Sequence, residues 1–230
     1  MKRFWTDVRM AGEAGGFAVQ LDDKPMRTPG RRPLLVPTEA LAAAIAGEWQ
    51  AVAEQVDPRL LPLTGLANAA IDIVAPDAPA FARPLAAYAD SDLLLYRADE
   101  PDSLVVAQAS AWDPLLGWAA RRYEVRFDPV SGIIHRSQPA ATLSRLEAAL
   151  LARDAFSLAA LSPLVTIGGS LVVALALAED AVSADQAWDA VTLDERWQEE
   201  RWGADPIALD VRAARRVEFD SALRFLAELR

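Results

Sequence analysis

The sequence contains no cysteine and only one histidine, His135. Without cysteine, the chain has no disulfide bridge, no thiolate nucleophile and no cysteine-ligated metal site. One histidine also cannot form a histidine-based zinc site. A Ser-His-Asp triad would have to use His135, yet the Gly-x-Ser-x-Gly pattern of many such enzymes is missing. We therefore interpret His135 as a loop or surface residue and predict no metal site.

Nucleotide-binding patterns are missing as well. Gly12, Gly15 and Gly16 lack the spacing of a dinucleotide-binding loop, and no Gly-Lys-Ser/Thr motif of a phosphate-binding loop occurs. Asp90 and Asp92 form a close carboxylate pair that acid–base catalysis could use, but such pairs are common on solvated surfaces. The sequence therefore predicts no cofactor and favours a protein that is not an enzyme.

Positive charge is scarce, because 23 lysines and arginines stand against 33 acidic residues and the formal net charge is −10. An acidic surface repels phosphate backbones and anionic membranes, so we predict no nucleic-acid partner. The charge favours a protein partner with a basic surface. It could equally serve solubility alone, and both interpretations stay open.

A long uncharged run extends over residues 158–178 and is long enough to span a membrane. Pro163, Gly168 and Gly169 interrupt this run, and the residue that follows it is Glu179 rather than an anchoring lysine or arginine. We therefore predict a buried central helix in a soluble protein that is not membrane-embedded. The alternative is a membrane-associated assembly factor. No signal or transit segment is recognised at the N-terminus, which predicts a cytoplasmic location.

Local patterns predict an α+β fold. Phe17–Leu21 partly alternates, Asp22-Asp23 suits a turn, and Lys24–Thr28 suits a return strand, which together indicate a small antiparallel β unit. Helical periodicity follows. We expect a small β-rich N-terminal domain at residues 1–60 and a larger all-helical C-terminal domain at residues 61–230. The predicted helix starts are Thr38, Thr64, Asp77, Ser103, Pro139, Asp154, Ser183 and Asp205.

The stretch from residue 188 to residue 203 has an unusual pattern. On one continuous helix, a single stripe would carry Trp188, Val191, Glu195, Gln198 and Trp202. A carboxylate on such an apolar face costs free energy unless it is paired. Glu195 is therefore either one half of a buried Glu–Arg pair, or an acid at the rim of an apolar surface that receives a basic group of a partner, or a catalytic acid.

Several blocks of the sequence, in a fixed order, resemble one known family. Leu21–Pro29 is similar to its N-terminal hairpin signature, although Asp23 stands where glycine is usual. The other blocks are Arg3–Trp5, Leu41–Trp49, Pro62–Asp72, Tyr88–Leu94 with Tyr96-Arg97, Trp112–Leu115, Gly169–Leu171, and Glu195, Trp197 and Gln198 with Trp202-Gly203. Together they cover nearly the whole chain. This pattern resembles the ATP synthase assembly factor 2 family, the "ATP twelve" chaperones.

The resemblance implies a fold with a small β-rich N-terminal domain and a helical C-terminal domain. It also implies a function: such chaperones bind the free alpha subunit of the ATP synthase catalytic sector and keep it from aggregating until beta subunits replace them. They use no nucleotide cofactor. Members occur in the mitochondrial matrix and in some bacteria, and the N-terminus of this sequence favours the bacterial, cytoplasmic case.

Two hypotheses about function follow. The first is a molecular chaperone of the unassembled alpha subunit, with a partner-binding set composed of Asp194, Glu195, Trp197, Gln198 and Trp202. The second is a small-molecule enzyme that uses Asp90, Asp92 and Glu195 in a cleft. A deep polar pocket that joins these three carboxylates would favour the enzyme, whereas a shallow apolar groove would favour the chaperone.

Overall fold

The computed structural model describes residues 2–132 and 134–230, and in these residues a small N-terminal sheet is followed by a series of helices. This arrangement confirms the predicted α+β class. The strands are β1 (Val8–Glu13), β2 (Gly16–Leu21), β3 (Lys24–Pro25), β4 (Leu35–Val36), β5 (Tyr96–Arg97) and β6 (Val130–Ser131). The helices are α1 (Glu39–Ala51), α2 (Pro62–Ala69), α3 (Ala78–Ala86), α4 (Asp102–Tyr123), α5 (Ala140–Leu151), α6 (Ala155–Gly168), α7 (Leu171–Ala178), α8 (Ala184–Val191), α9 (Leu193–Trp202) and α10 (Pro206–Ala227).

The described chain divides into two compact units. The first contains the described part of residues 1–78 together with Asp154–Ala160 and Ser221–Arg230, and the second contains Pro79–Arg153 and Leu161–Asp220. The domain boundary near residue 60 stays a prediction.

Strand β2 forms the centre of the N-terminal sheet, since β1, β3 and β4 all pair with it in antiparallel orientation. The predicted turn at Asp22-Asp23 is confirmed, because Leu21 pairs with Lys24 and Asp22 has a φ of 55°. The Asp22 carboxylate accepts hydrogen bonds from the backbone N–H groups of Asp7 and Thr6 at 3.0 and 2.9 Å. These hydrogen bonds stabilise the ionised form and lower the pKa of Asp22.

Helix α1 begins where the sequence predicts. The Thr38 side chain accepts a hydrogen bond from Leu41 N at 3.2 Å, as an N-cap residue does. Leu41, Ile45 and Trp49 recur at helical spacing and are all buried, so they form the apolar face of this helix. Trp49 packs on Trp5 with ring centroids 5.1 Å apart, so this helix covers much of the apolar interior of the first unit.

The predicted start of the next helix at Thr64 is wrong, because α2 begins two residues earlier, at Pro62. Glu48 of α1 caps it instead, since its carboxylate accepts hydrogen bonds from the backbone N–H groups of Leu63 at 2.7 Å and Thr64 at 2.9 Å. Backbone N–H groups in a first helical turn lack intrahelical acceptors, and a carboxylate there also suits the helix dipole. The first turn of α2 is therefore stabilised by Glu48, a side chain of another helix, rather than by a residue of its own N-terminus.

The long uncharged run forms two helices, α6 and α7, rather than the single helix predicted. Gly169 has a φ of 64° and separates them. Asp154 caps α6 as predicted, accepting from Phe156 N at 2.8 Å, and Ser170 caps α7, accepting from Val173 N at 3.0 Å. Every residue from Leu171 to Leu177 is buried, so the apolar character of α7 is that of a protein core. Among residues 2–132 and 134–230, no helix combines the length and the apolar character needed to cross a membrane.

Asp92 is a fully buried carboxylate at the start of α7. Its two oxygens accept hydrogen bonds from Val172 N at 3.0 Å and from Leu94 N at 3.1 Å, and Ser170 also bonds to it. Burial raises the pKa of Asp92 to about 6, although these hydrogen bonds favour the ionised form and oppose the shift. Asp92 therefore joins the turn Leu93–Leu95 to the N-terminus of α7.

The raised pKa of Asp92 predicts a pH-dependent contribution to stability. The folded-state pKa lies above that of an unfolded aspartate. The contribution of Asp92 to the free energy of unfolding is therefore fully present below pH about 4 and is lost as the pH rises through about 6. A shift of about two units corresponds to roughly 3 kcal/mol. Relative to the wild type, Asp92→Asn should therefore gain roughly 2–3 kcal/mol of unfolding free energy between pH about 4 and about 7. Urea titrations at several pH values measure this difference, and a constant difference would contradict the prediction.

Glu179 lies at the C-terminal end of α7 and connects it to the ends of two other helices. Its carboxylate accepts hydrogen bonds from Arg122 and Tyr123 of α4 at 2.5 and 2.8 Å, and from Arg153, which follows α5, at 2.6 Å. Burial raises the pKa of Glu179, but the hydrogen bonds from Arg122 and Tyr123 outweigh it, and the pKa is lowered overall. The carboxylate is therefore a structural link among three helix ends.

We expect Glu179→Gln to destabilise the protein by roughly 1–3 kcal/mol, because an uncharged amide cannot accept all three hydrogen bonds and leaves a partly buried donor of Tyr123 or Arg153 unpaired. Glu124→Gln is the matched control, since Glu124 pairs with Arg145 on the same end of α4 but its side chain is 81% exposed. The control should change stability by less than about 0.5 kcal/mol. Thermal unfolding of the two variants measures the difference, and equal effects would argue against the structural link.

Candidate functional site

An apolar groove of 630 Å³ lies along α9 in the second unit. We call it the α9 groove, and the residues that line it are Tyr96–Pro101, Leu104, Gln108, Gly132, Asp194, Trp197, Gln198 and Trp202. Helix α4 provides Leu104 and Gln108, α9 provides one wall, and the segment that begins with β5 provides the other. Gly132 directly follows β6, whose Val130 pairs with Tyr96 of β5 in parallel orientation.

Gln108 connects the two walls of the α9 groove. Its side chain is only 2% exposed. The amide oxygen accepts a hydrogen bond from Ala98 N at 2.8 Å, and Nε2 donates to Asp194 Oδ1 at 2.8 Å. Because both ends of this buried amide are bonded, it positions the β5 segment and α9 at a defined separation.

Sequence reasoning missed Gln108. The signal was present, since Gln108 lies at helical spacing from Leu104, Trp112 and Leu115 and thus on a face where apolar residues are expected. A glutamine on such a face needs hydrogen-bond partners, but nothing in the sequence indicates that Ala98 and Asp194 would provide them.

Two tryptophans of α9 form an aromatic corner of the groove. The rings of Trp197 and Trp202 are perpendicular, with centroids 6.0 Å apart. The guanidinium of Arg201 lies 4.7 Å from the centroid of the Trp197 ring, within the range of a cation–π interaction. Trp202 is 75% exposed. An exposed tryptophan beside an apolar groove is typical of a surface that binds another protein.

The charged residues of the groove are mainly acidic. Asp99 and Glu100 lie on one wall and Asp194 on the other. Arg97 also lines the groove, but it pairs with Asp113 at 2.7 Å and therefore offsets little of this negative charge. The groove thus presents carboxylates next to an apolar surface.

The continuous stripe predicted from Trp188 to Trp202 is wrong, because α8 ends at Val191 and a separate helix, α9, begins at Leu193. Thr192, between them, donates its hydroxyl to the carbonyl of Trp188 at 2.7 Å. Trp188 is buried against Phe219, at a centroid distance of 5.3 Å, whereas Trp202 is exposed. The predicted helix start at Ser183 is confirmed, and Ser183 forms a capping box with Gln186. Helix α9 ends at Trp202, and Gly203 is its C-cap residue.

Glu195 forms an ion pair with α10, as one of the three interpretations of this residue predicts. Both of its carboxylate oxygens accept from Arg215 Nη2, at 2.7 and 2.5 Å. Glu199, one turn later, accepts two hydrogen bonds from Arg212, at 2.6 and 2.7 Å. The Glu195 side chain is 43% exposed, so this pair is at the surface rather than buried.

The predicted partner-binding residues are divided between two neighbouring pockets. Asp194 and Trp197 line the α9 groove, and Glu195 lines a pocket of 450 Å³ next to α10. Gln198 and Trp202 line both pockets. The structure therefore brings four of the five residues to the groove and places Glu195 beside it.

The first half of α10 is held to α9 mainly through ion pairs. Residues 206–211 are all exposed, and Ile207 and Val211 expose 74% and 54% of their surface. Buried residues on this helix begin only at Phe219. The pairs of Arg212 and Arg215 with Glu199 and Glu195 therefore determine where the start of α10 lies.

The carboxylates of the enzyme hypothesis do not share a pocket in the described residues. Asp92 caps α7, and Asp90 accepts from Gln138 N at 2.7 Å and lies 3.3 Å from His135 Nε2. The pocket that Glu195 lines contains neither of them. His135 is exposed in an irregular segment, as predicted, and the described residues contain no cluster of metal-ligating side chains.

Known proteins of one family are similar to this chain. The family model described as ATP12 chaperone protein matches residues 2–120. The mitochondrial protein atp12 of Schizosaccharomyces pombe is 26% identical over 215 residues, which cover 88% of this chain and 74% of that protein.

Two solved bacterial structures are also similar. The crystal structure of Atp12 from Paracoccus denitrificans is 45% identical, with a TM-score of 0.95 over 100% of this chain and 98% of that one. The crystal structure of the Atu1473 protein from Agrobacterium tumefaciens is 41% identical, with a TM-score of 0.95 over 100% of this chain and 86% of that one. These matches confirm the resemblance found in the sequence, and the chain belongs to the ATP12 chaperone family.

Proposed function

We propose that this protein is a chaperone that binds the unassembled alpha subunit of the ATP synthase catalytic sector and prevents its aggregation during assembly. The observation that carries the proposal is the α9 groove, in which the exposed Trp202 lies beside an apolar, acidic surface. Membership of the ATP12 chaperone family supports it. An unassembled subunit exposes apolar interface, which promotes aggregation unless a complementary surface covers it.

We infer that the protein acts by binding and performs no catalysis. The α9 groove is an open apolar surface, and the buried carboxylate of Asp92 serves to cap a helix. The acidic rim of the groove would guide a basic surface of the alpha subunit toward it and reject acidic partners. The similarity to two bacterial proteins supports a bacterial cytoplasmic location.

The partner-binding residues that we propose differ in role. Asp194, Trp197, Gln198 and Trp202 contact the alpha subunit directly, because they line the α9 groove. Glu195 acts indirectly, because its carboxylate pairs with Arg215 and thereby holds α10 beside Trp202.

The first test uses purified alpha subunit, whose aggregation is followed by light scattering with and without the chaperone. We expect the wild-type protein to suppress aggregation and Trp202→Ala to bind the alpha subunit about 30-fold more weakly, because truncating an exposed aromatic anchor typically costs at least about 2 kcal/mol of binding. Trp118→Ala is the matched control, since this tryptophan lines a different pocket. Failure of the wild-type protein to protect or bind the alpha subunit would contradict the proposed function.

The second test concerns Glu195. In Glu195→Lys, the new lysine faces Arg215, and we expect a loss of roughly 1 kcal/mol of stability, because the pair is partly exposed. Protection of the alpha subunit should also weaken. Adding Arg215→Glu restores an ion pair of opposite polarity and should restore both properties.

The alternative is that Glu195 contacts a basic group of the alpha subunit. Opposing that group with a lysine would cost roughly 2–5 kcal/mol of binding, and the second substitution would not recover it. A double variant with normal thermal unfolding but without protection would therefore reject the indirect role of Glu195.

A further inference from the structure

We propose that the α9 groove binds a segment of the client polypeptide in which an arginine or lysine is flanked by apolar side chains. The inference deepens the proposed function and rests on it, because it specifies the chemistry by which the alpha subunit is recognised.

The apolar flanks of such a segment would lie against Pro101, Leu104 and Trp202. All three line the groove. A tryptophan can bury about 150–250 Å² of surface in a contact, so the exposed indole offers a large apolar area at small entropic cost. The Trp197 ring is perpendicular to the Trp202 ring, with centroids 6.0 Å apart, and so packs against it from one side.

The cation would pair with the carboxylate of Asp194. The neutral Gln108 amide holds Asp194 Oδ1 in place and brings no positive charge to this carboxylate. Asp99 and Glu100 lie on the facing wall and add to the negative potential of the groove. The surface around Asp194 is largely apolar, and a bound segment would cover it. The ion pair would therefore be screened less than one that stays exposed to solvent.

The aromatic corner supports the same assignment. Arg201 already places its guanidinium over the ring of Trp197, so this corner accommodates a cation on an indole face. Trp202 offers a second indole with most of its surface exposed. A partner arginine could therefore stack on an aromatic ring while it pairs with a carboxylate, which lysine does less well.

The charge of the chain favours a basic protein segment over other occupants. A net charge of −10 opposes nucleic acid and anionic membranes and raises the association rate of cationic partners. A second copy of this chain would bring the same negative charge to the interface. We therefore assign the groove to a basic segment of the client.

The test is an array of overlapping short peptides that cover the sequence of the alpha subunit, probed with the full-length chaperone. We expect the bound peptides to contain an arginine or lysine next to apolar residues. Replacing that cation with glutamine should weaken binding about ten-fold or more. A higher salt concentration should weaken the binding of the same peptides to the chaperone, because salt screens the attraction between opposite charges.

Variants of the chaperone link the binding to the groove. Asp194→Asn removes the charge and retains an oxygen that accepts the hydrogen bond from Gln108, so it should reduce binding of the cationic peptides about ten-fold. Trp202→Ala should reduce it as well. Asp210→Asn and Trp118→Ala remove a carboxylate and a tryptophan that do not line the groove, and they should bind the peptides as the wild type does.

The outcomes separate this inference from the proposed function. If the wild type and Asp194→Asn protect the alpha subunit equally, and the bound peptides lack cations, the groove assignment is overturned while the chaperone function stands. If cationic peptides bind but the alpha subunit is not protected, the proposed function fails instead. A third outcome is that the wild-type chaperone forms a dimer that is lost in Trp202→Ala. That result would show that a second copy of the chain occupies the groove, and it would also overturn the assignment.

Discussion

The arrangement of the second unit depends on the hydrogen bonds that the buried carboxylate of Asp92 accepts. It bonds to the N-terminus of α7, the most completely buried helix in the described chain, and to the first turn of Leu93–Leu95. Strand β5 follows that turn directly and forms one wall of the α9 groove. A single side chain thus connects the apolar core to a wall of the α9 groove, and its raised pKa reflects the cost of burying a charge.

A second buried polar group extends this connection to the opposite wall. Gln108 receives a hydrogen bond from the β5 segment and donates one to Asp194 on α9. Buried polar groups add specificity when all their partners are in place, because a shifted wall would leave one of them unpaired. The two hydrogen bonds of Gln108 therefore define the separation of the groove walls.

The contact between α9 and the start of α10 has a different character. Here the glutamates of α9 pair with Arg212 and Arg215, and the apolar residues Ile207 and Val211 remain exposed. The Glu195–Arg215 pair is partly exposed, so it is weak and sensitive to salt. The Glu199–Arg212 pair exposes only 20% and 15% of its side chains and is screened less.

Local signals in the sequence were sufficient for the fold class and for many element boundaries. The turn at Asp22-Asp23, the caps at Thr38, Asp154 and Ser183, and the stop at Gly203 all depend on residues within a few positions of one another. Capping and turn preferences act over that short range, so they can be recognised without knowledge of the fold. The order of blocks along the chain was likewise enough to find the family.

Only the tertiary structure decided the relationships between distant residues. Glu48 caps a helix that begins 14 positions later, Gln108 bonds to Asp194 across 86 positions, and Glu195 meets Arg215 across 20. Because the helix breaks at Thr192, Trp188 lies in the core and Trp202 is exposed. The helical periodicity of the sequence does not indicate this break. By itself the sequence determined the fold class, the local caps and the family. The groove required the fold, because a polar side chain bonds to whichever partners packing brings near it, and packing is a property of the whole chain.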